Sequence, residues 1–419
     1  MEILVNSKKA EVFHNKISDF VIYSAESKCE NKAEIKIILD EISDEVVVRP
    51  MSLGITPDVS QNEIHFDATI PCKMSIEFPK SERLPIFVFL YEKEEVPQGE
   101  NVRVFEAGEH TIDELRPNSN EILYLAEGAV VHAHLYAENA ENVTICGRGI
   151  FDIDGDYTTK YRRMARFHKC RGLTIRDVTL EGPKGWTCAM FGCESVTVDG
   201  VNIMSWHVCG DGIDVVGSHD VSIKNCFIRS ADDCVAVKAT DYCGPDGLND
   251  VYNVKVNNCV FWNAQPGNAI EIGFETRCDE MYNIEFSDID IIHCEYEGWQ
   301  SGSAISIHNG DRAKIHDVTY RNIRIEDVNE KLFDFKVMYS NYSHDEVRGS
   351  IENVLVENVS LVSGHFPPSV LSGYAPEDSL VKNIRFVNLS AYGEFIHNPI
   401  ECRMVVERCK NISFEEKDN

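Results

Sequence analysis

The sequence contains no long hydrophobic segment. None of its apolar runs approaches the roughly 20 consecutive residues that a membrane-spanning helix requires. Residues 1–16, MEILVNSKKAEVFHNK, lack the apolar core and the small-residue cleavage site of a signal peptide. We therefore expect no membrane partner and a cytoplasmic location.

Clusters of lysine and arginine are also missing. The chain has 69 Asp and Glu residues against 40 Lys and Arg residues, which gives a formal net charge of -29 at pH 7. A surface this negative repels nucleic acids and anionic membranes, so we expect no nucleic-acid partner. A neutral ligand fits the composition best.

The fifteen cysteines lack the paired CxxC spacing that is typical of a zinc site. Their odd number and scattered positions favour reduced thiols, and several follow an apolar strand, where cysteine acts as a small core residue. The basic surroundings that would activate a catalytic thiolate are not apparent. We expect neither a metal ion nor another cofactor.

Helical heptads are absent, and a different pattern recurs from about residue 140. Each repeat has a polar opening, an alternating apolar strand, a short Asn/Asp/Gly turn and a second strand, and the repeats follow one another at roughly 23 to 36 residues. The repeats are ENVTICGRGIFDI at 141, RGLTIRDVTLEG at 171, ESVTVDGVNIMS at 194, HDVSIKNCFIRS at 219, YNVKVNNCVFWN at 252, YNIEFSDIDIIH at 282, HDVTYRNIRIED at 316, ENVLVENVSLVS at 352, KNIRFVNLSAYG at 382 and KNISFEEKDN at 410.

These repeats predict an all-β protein whose main domain is a right-handed parallel β-helix. A two-strand repeat cannot bury its own apolar face, but stacked repeats close a continuous core. Leucine-rich repeats and propeller blades have other spacings, which the sequence does not show. We place the β-helix at residues 98–419. Short strands separated by Pro, Asn and Asp predict a small antiparallel β-sandwich at residues 1–97.

Four aspartates crowd one short apolar stretch of the repeats. Asp211 and Asp232 are about one coil apart, so we expect their side chains to share a cleft, with Asp233 joining them if the chain departs from strand alternation at SADD. Neighbouring carboxylates raise one another's proton affinity, so one can act as a general acid while others activate water. Asp214 is more consistent with a supporting role. Each aspartate taken alone is more consistent with an ordinary turn or structural residue, and only the spaced cluster favours a site.

At these residues the sequence resembles the polygalacturonases of glycoside hydrolase family 28 and the related dextranases and isopullulanases of family 49. GDGID at 210–214 is similar to the NTDG-containing motif of family 28, and ADDCVAVK at 231–238 is similar to its DD motif. The resemblance implies that Asp232 is the general acid and that Asp211 and Asp233 are the bases. It also implies inversion of the anomeric centre, for which the carboxyl groups stand roughly 6.5–9.5 Å apart.

Two further motifs of family 28 are altered. PGNAIEIGFE at 266–275 occupies the place of GHGLSIG, so Asn268 replaces the His of the family and Glu271 replaces a Ser. SAISIHN at 303–309 occupies the place of the RIK motif, so His308 stands near the position of a lost cation. We count Asn268, Glu271 and His308 as candidate substrate-binding residues.

The lost Arg and Lys are the groups that would bind the carboxylate of an acidic sugar, which makes a neutral α-glucan an alternative to galacturonan. Arg277 is a candidate replacement, although a surface ion pair with Glu275 or Asp279 is the competing interpretation. The N-terminal sandwich likewise resembles the family 49 enzymes more than a minimal polygalacturonase.

Other candidate sugar contacts lie on the same coils. Trp206 and His207 precede Asp211 by a few residues, and Asp214 follows it, so all three are predicted substrate-binding residues. Trp186 and Trp299 lie in glycine-containing segments, where an aromatic ring can stack on a sugar. Core packing is the alternative for each tryptophan.

The sequence thus predicts an inverting glycosidase that hydrolyses α-linked poly- or oligosaccharides without a metal. One alternative is a β-helix lyase or epimerase acting on uronates, which would need a base beside the carboxylates; Lys238 is the nearest candidate, although it could face away. Another alternative is a carbohydrate-binding solenoid that has lost its chemistry.

Overall fold

The computed structural model of the chain describes residues 1–41, 45–153, 163–296, 302–375 and 380–417. Within these residues the chain is built of strands, turns and two short 3-10 helices, Met51–Leu53 and Pro245–Leu248. The described part contains no helix long and apolar enough to cross a membrane. The chain divides into two compact units, Met1–Pro97 and Gln98–Asn419.

The first unit has ten strands in its described residues. They are β1 (Glu2–Val5), β2 (Lys8–Lys9), β3 (Phe13–His14), β4 (Asp19–Ser24), β5 (Lys32–Ile38), β6 (Val47–Arg49), β7 (Asp58–Ser60), β8 (Glu63–Thr69), β9 (Cys72–Glu77) and β10 (Ile86–Tyr91).

These strands form two five-stranded sheets, in the orders β2-β1-β5-β8-β7 and β3-β4-β10-β9-β6. Alternation along β5 and β8 places Ile35, Ile37 and Ile64 in a core that both sheets share. This unit is a β-sandwich. It differs from a purely antiparallel one because β4 and β10 pair in parallel.

The second unit has thirty strands in its described residues. They are β11 (Val102–Phe105), β12 (Gly108–Leu115), β13 (Ile122–Leu125), β14 (Ala129–Glu138), β15 (Thr144–Gly147), β16 (Ile150–Asp152), β17 (Ala165–His168), β18 (Thr174–Arg176), β19 (Thr179–Glu181), β20 (Cys188–Phe191), β21 (Glu194–Asp199), β22 (Asn202–Met204), β23 (Ile213–Val216), β24 (His219–Lys224), β25 (Phe227–Ser230), β26 (Val235–Ala239), β27 (Val251–Asn257), β28 (Val260–Asn263), β29 (Ile270–Thr276), β30 (Glu280–Cys294), β31 (Ser303–Asn309), β32 (Lys314–Ile325), β33 (Lys331–Val337), β34 (Ser350–Leu361), β35 (Ser369–Ser372), β36 (Val381–Val387), β37 (Ser390–Ala391), β38 (Glu394–Phe395), β39 (Met404–Glu407) and β40 (Cys409–Glu415).

The second unit is a right-handed parallel β-helix. From β15 to β26 each strand pairs in parallel with the third strand after it, so one coil contains three strands. The repeats in the sequence indicated only two strands per coil. The third strand, represented by β17, β20, β23 and β26, lies between the repeats, and it carries the candidate site.

The core of the β-helix runs along its axis. Inward-facing residues of successive coils, such as Val215, Val237, Ile272, Ile307 and Phe335, pair in register and are completely buried. Each such side chain contributes about 1.5–3 kcal/mol through its burial. The stacking distance between coils is about 4.8 Å, as in any β-sheet.

The polar residues of the repeat mark turns with left-handed backbone conformation. Asn322, Asn358 and Asn388 have φ of 54°, 54° and 53°, and glycine takes the same turn position at Gly200. The asparagine side chains form a ladder in which each amide nitrogen donates to the oxygen of the preceding coil at 3.0 Å, ending on Asp288. Asn, Asp and Gly recur there because they tolerate positive φ.

Candidate active site

The candidate site lies on the β-helix face that contains β20, β23, β26, β29, β31 and β33. The first residues of β23, β26 and β29 pair in register on three successive coils. Asp211, Asp233 and Asn268 each stand two residues before these strands, so they occupy equivalent positions. The sequence spacing had paired Asp211 with Asp232. The coil is one residue longer than that spacing, and Asp232 lies in the adjacent bend.

The structure brings the three predicted catalytic carboxylates together. Asp211, Asp232 and Asp233 each offer an oxygen within 4.8 Å of an oxygen of the other two. Asp211 and Asp233 are buried, whereas Asp232 is partly exposed. The oxygens are therefore closer than the 6.5–9.5 Å expected between the carboxyl groups of an inverting enzyme.

Lys238 faces this carboxylate cluster and does not point away from it. Its Nζ lies 2.6 Å from Asp211 Oδ2, 3.1 Å from Asp214 Oδ1 and 3.9 Å from Asp233 Oδ2. The ammonium also lies 4.4 Å from the centre of the Trp186 ring. The sequence contained the signal for this position, because the alternation of VAVKA places Lys238 on the same outward side of β26 as Ala236.

Asp233 is held by the residue that replaces the family histidine. Both the backbone N and the Nδ2 of Asn268 donate to Asp233 Oδ1, at 2.9 and 3.0 Å. Asn268 Oδ1 in turn accepts from the backbone N of Ser303 at 3.0 Å. Asn268 is 1% exposed. Its polar atoms therefore orient Asp233, and direct contact of Asn268 with substrate stays a prediction.

Burial and mutual repulsion raise the proton affinity of the cluster. Burial, followed by the charges of Asp211 and Asp233, raises the pKa of Asp232 well above its usual range. Burial also raises the pKa of Asp233, to about 8, although Lys238 opposes the shift. The pKa of Asp214 rises well above its usual range because of burial and the charge of Asp211. The cluster can thus carry protons at neutral pH.

Lys238 keeps its proton in this environment. Burial lowers the pKa of its amine, but Asp211, Asp214 and Glu275 outweigh that effect and raise the pKa well above its usual range. An amine that remains protonated cannot act as a general base.

Glu271 and His308 form a buried ionic chain beside the cluster. His308 Nδ1 lies 2.8 Å from Glu271 Oε2, and its Nε2 lies 3.3 Å from Asp334 Oδ2. Ser306 Oγ also donates to Glu271, and Lys336 Nζ lies 2.8 Å from Asp334 Oδ1. Glu271, His308 and Asp334 are completely buried. These side chains form ion pairs with one another and are closed off from solvent. A direct contact with sugar stays a prediction for Glu271 and His308.

The pKa values of this chain follow from its contacts. Burial lowers the pKa of His308, but Glu271 and Asp334 outweigh that effect and raise it to about 9. Burial raises the pKa of Asp334, but His308 and the nearby lysines outweigh it and hold that pKa well below its usual range. His308 is therefore a cation at neutral pH.

Arg277 is engaged by two aspartates. Its Nη1 lies 2.8 Å from Asp241 Oδ1, and its Nε lies 3.7 Å from Asp345 Oδ1. Arg277 thus forms ion pairs, as the competing interpretation expected, but its partners are Asp241 and Asp345 and not Glu275 or Asp279.

The predicted aromatic contacts fall in different surroundings. Trp206 and His207 lie half-buried between β22 and β23, with ring centres 6.2 Å apart. Trp186 is 8% exposed and packs under Lys238. Trp299 lies outside the described residues. Tyr242 is 46% exposed, and its ring centre lies 6.5 Å from that of Trp186. Tyr242 was not among the predicted contacts, because its loop has no repeat pattern.

Asp211, Asp232 and Asp233 are close enough, and of the right ligand type, to bind a cation. Lys238 already places an ammonium 2.6 Å from Asp211 and 3.9 Å from Asp233. A metal ion in the same space would be repelled by this buried charge. The residues therefore do not fit a resident metal.

The chain is similar to a known family of enzymes over most of its β-helix. The family profile described as "Glycosyl hydrolases family 28" matches residues 130–388. A polygalacturonase of Medicago sativa is 26% identical over 233 residues, which cover 44% of this chain and 54% of that protein. A probable polygalacturonase of Arabidopsis thaliana is 24% identical over 166 residues, which cover 39% of this chain and 33% of that protein. The chain thus spans about half or less of these relatives.

Solved structures share the fold. Dex49A from Penicillium minioluteum superposes with a TM-score of 0.62 at 13% identity, covering 91% of this chain and 79% of that one. A hyperthermoactive exopolygalacturonase from Thermotoga maritima superposes with a TM-score of 0.54 at 14% identity, covering 75% of this chain and 84% of that one.

Proposed function

Because the chain belongs to glycosyl hydrolase family 28, as its aspartate motifs had suggested, we propose that it is a glycosidase that hydrolyses α-glycosidic bonds of a poly- or oligosaccharide. The observation that carries the proposal is the convergence of Asp211, Asp232 and Asp233 within 4.8 Å of one another. These are the residues that match the catalytic motifs of the family.

In this proposal Asp232 is the general acid. It is the most exposed of the three carboxylates, so it can reach a glycosidic oxygen, and burial together with the charges of Asp211 and Asp233 raises its pKa, which favours the protonated form. A protonated carboxyl is what the leaving group requires.

Asp211 is the principal base, with Asp233 beside it. Asp211 Oδ2 accepts a hydrogen bond from Lys238. In this proposal the other carboxylate oxygen, Oδ1, which is buried, takes the proton of the attacking water when substrate is bound. Asp233 is oriented by Asn268 and shares the same row of the β-helix, so the two carboxylates can hold one water between them.

The proposed stereochemical outcome is inversion. The match of the aspartates to the family motifs supports it, whereas the short separation of the carboxylates is closer to the spacing of retaining enzymes, in which the second carboxylate is the nucleophile. Proton NMR of the first product anomer distinguishes the two, because an inverting enzyme releases the opposite anomer. Initial release of the same anomer would assign Asp211 or Asp233 as a nucleophile.

We propose a neutral sugar as the preferred substrate. Three cations that the sequence pointed to are each engaged by carboxylates: Lys238 by Asp211, His308 by Glu271, and Arg277 by Asp241. None of these three offers an uncommitted positive charge to a uronate. The partly exposed Tyr242 ring is suited to stacking on a sugar face.

The test is reducing-end release from dextran, isomalto-oligosaccharides, pullulan, polygalacturonate and its oligomers. We expect release from a neutral glucan, and we expect Asp232→Asn to lower kcat by at least about 100-fold, since a general acid contributes at least that much. Asp67→Asn is the matched control, because Asp67 is an exposed residue of the first unit, and it should retain wild-type activity.

Three outcomes would contradict parts of this proposal. Release only from galacturonides would overturn the neutral substrate. A product absorbing in the ultraviolet would indicate a lyase. Unchanged sugar binding in Asp232→Asn with no turnover by either protein would indicate a binding solenoid.

A further inference from the structure

We propose that Lys238 is a positioning residue of the active site, whose buried ammonium holds the Asp211 carboxylate in place as the base of the cluster. This inference rests on the proposed function, because it concerns the division of roles among the same carboxylates. It adds a residue that the aspartate motifs do not contain.

The distances from the ammonium are graded. Nζ is closest to Asp211 at 2.6 Å, then to Asp214 at 3.1 Å and Asp233 at 3.9 Å. Asp232 is not among its ion-pair partners within 4.0 Å in the described residues. Because attraction falls with distance, the ammonium favours the ionised form of Asp211 most and that of Asp232 least. The ammonium therefore distinguishes Asp211, its closest partner, from Asp232.

The lysine side chain is fixed by the strand and by an aromatic ring. Val235 and Val237 of β26 point into the core, so Lys238 faces outward. Lys238 pairs in register with Val216 of the preceding coil. The Trp186 ring packs 4.4 Å from the ammonium. With 5% of its surface exposed, Lys238 has little freedom to choose other partners.

The other ionisable groups around Lys238 make it the central cation of this region. Asp211 precedes β23, Asp214 lies on β23, Asp233 precedes β26, and Glu275 on β29 is a further source of negative charge. Tyr242, in the loop after β26, forms a hydrogen bond with Glu275. Burial and that carboxylate raise the pKa of the Tyr242 hydroxyl. Removing the ammonium would leave several carboxylates without their nearest cation, and Asp211 would lose its closest contact.

The first test is the pH dependence of kcat/KM in Lys238→Met. Without the ammonium, Asp211 should bind a proton at higher pH, so the acidic limb of the profile should move upward by about one pH unit or more. We expect kcat to fall about 100-fold near the wild-type optimum, while KM changes by less than about threefold, because Lys238 is buried and does not meet the sugar. An acidic limb that stays in place with an unchanged kcat would overturn the inference.

Two further variants separate charge from folding. Lys238→Arg keeps the positive charge, so its acidic limb should stay within about half a pH unit of the wild type even if kcat falls. Lys238→Met/Asp214→Asn removes one buried carboxylate together with the ammonium, which restores the balance of buried charge should Lys238→Met fold poorly. Its acidic limb should also move upward, but by less than in Lys238→Met, because the negative charge of Asp214 is removed together with the ammonium. The control is Lys224→Met, which removes an exposed ion pair with Asp199.

A measurement without substrate keeps this inference separate from the proposed function. In protein labelled with 13C at the aspartate carboxyl carbon, the Asp211 resonance is assigned with Asp211→Asn and followed with pH. We expect its titration to move upward by about one unit in Lys238→Met or in the double variant. That shift without turnover of any sugar would refute the hydrolase and leave the role of Lys238 standing. An unmoved titration would refute the role of Lys238 even in an active hydrolase.

Discussion

At the scale of single residues, the face of the β-helix that carries the candidate site is unusual because it buries charged side chains on the outward side of a sheet. His308 lies between Glu271 and Asp334, and all three side chains are completely inaccessible to solvent. Burying either carboxylate alone would be strongly unfavourable, so the imidazolium is part of what allows them to be there. This arrangement ties the stability of the β-helix to pH.

The pH dependence has a defined sign. The pKa of His308 is raised from 6.5 to about 9 on folding. Its contribution to the free energy of unfolding, about 3 kcal/mol, is therefore complete below pH 6.5 and is lost as pH rises from 6.5 to 9. We expect the stability difference between the wild type and His308→Gln, measured by urea unfolding, to be largest near pH 6 and to shrink toward pH 9.

The matched control for this prediction is His65→Gln. His65 forms an exposed pair with Glu34 in the first unit, with 46% of its side chain accessible. Its effect on stability should be small at every pH. A constant difference between wild type and His308→Gln from pH 6 to pH 9 would show that His308 does not gain a proton on folding.

The sequence predicted the aspartates of the site better than their partners. The motif led to the expectation that Asp211, Asp232 and Asp233 lie together, although the spacing paired Asp211 with Asp232 and the coil pairs it with Asp233. The contacts of Asn268 and Lys238 depend on which side of a strand each residue occupies and on what packs over it. Alternation indicates the side, but the covering loops carry no periodic pattern.

At the scale of secondary structure elements, residues with left-handed backbone, some of them within the strands, connect neighbouring coils through their side chains. Asn358 has φ of 54° and links two neighbouring coils, donating to Asn322 and accepting from Asn388 at 3.0 Å each. Left-handed backbone is unfavourable for most residues, and the amide ladder compensates for it. The repeated asparagines in the sequence are therefore part of the architecture.

Substitution of this turn residue should be measurable. We expect Asn358→Ala to lower the free energy of unfolding by about 1–3 kcal/mol, because alanine loses both hydrogen bonds and is strained at positive φ. Asn358→Gly should cost less, since glycine accepts the backbone conformation. Ser360→Ala, on the same strand, should change stability by less than about 0.5 kcal/mol. Equal losses for alanine and glycine in urea unfolding would show that backbone strain plays no part.

The number of strands per coil was the part of the fold that the sequence did not indicate. The two strands of the repeat motif have alternating residues bounded by Asn and Gly. The third strand is short, as in β20 (CAMF) and β23 (IDVV), and is buried on both faces. It therefore shows no alternation between apolar and polar residues, and the segments before it vary in length.

At the scale of the whole molecule, the chain consists of two units with separate cores. The core of Met1–Pro97 is formed by residues of both sheets of the sandwich, and the core of Gln98–Asn419 runs along the β-helix. All the candidate catalytic residues lie in the second unit. Separate cores predict separate folding.

We expect residues 1–97 expressed alone to fold, with a cooperative urea transition followed by circular dichroism. Residues 98–419 expressed alone should retain the turnover of the full chain within about threefold. These results are expected because each unit buries its own apolar residues. A fragment 1–97 without a cooperative transition, or an inactive fragment 98–419 that is correctly folded, would contradict the prediction.

The equivalent positions of Asp211, Asp233 and Asn268 on three successive coils have a consequence for how such a site can change. The spacing of these groups is set by backbone hydrogen bonds between coils, and the loops that emerge beside them take no part in it. A loop such as the one that carries Tyr242 can thus be lengthened, shortened or replaced while the carboxylates keep their separation. Substrate preference and bond cleavage can therefore evolve almost independently, and exchange of loops between relatives is a practical route to new specificities on this scaffold.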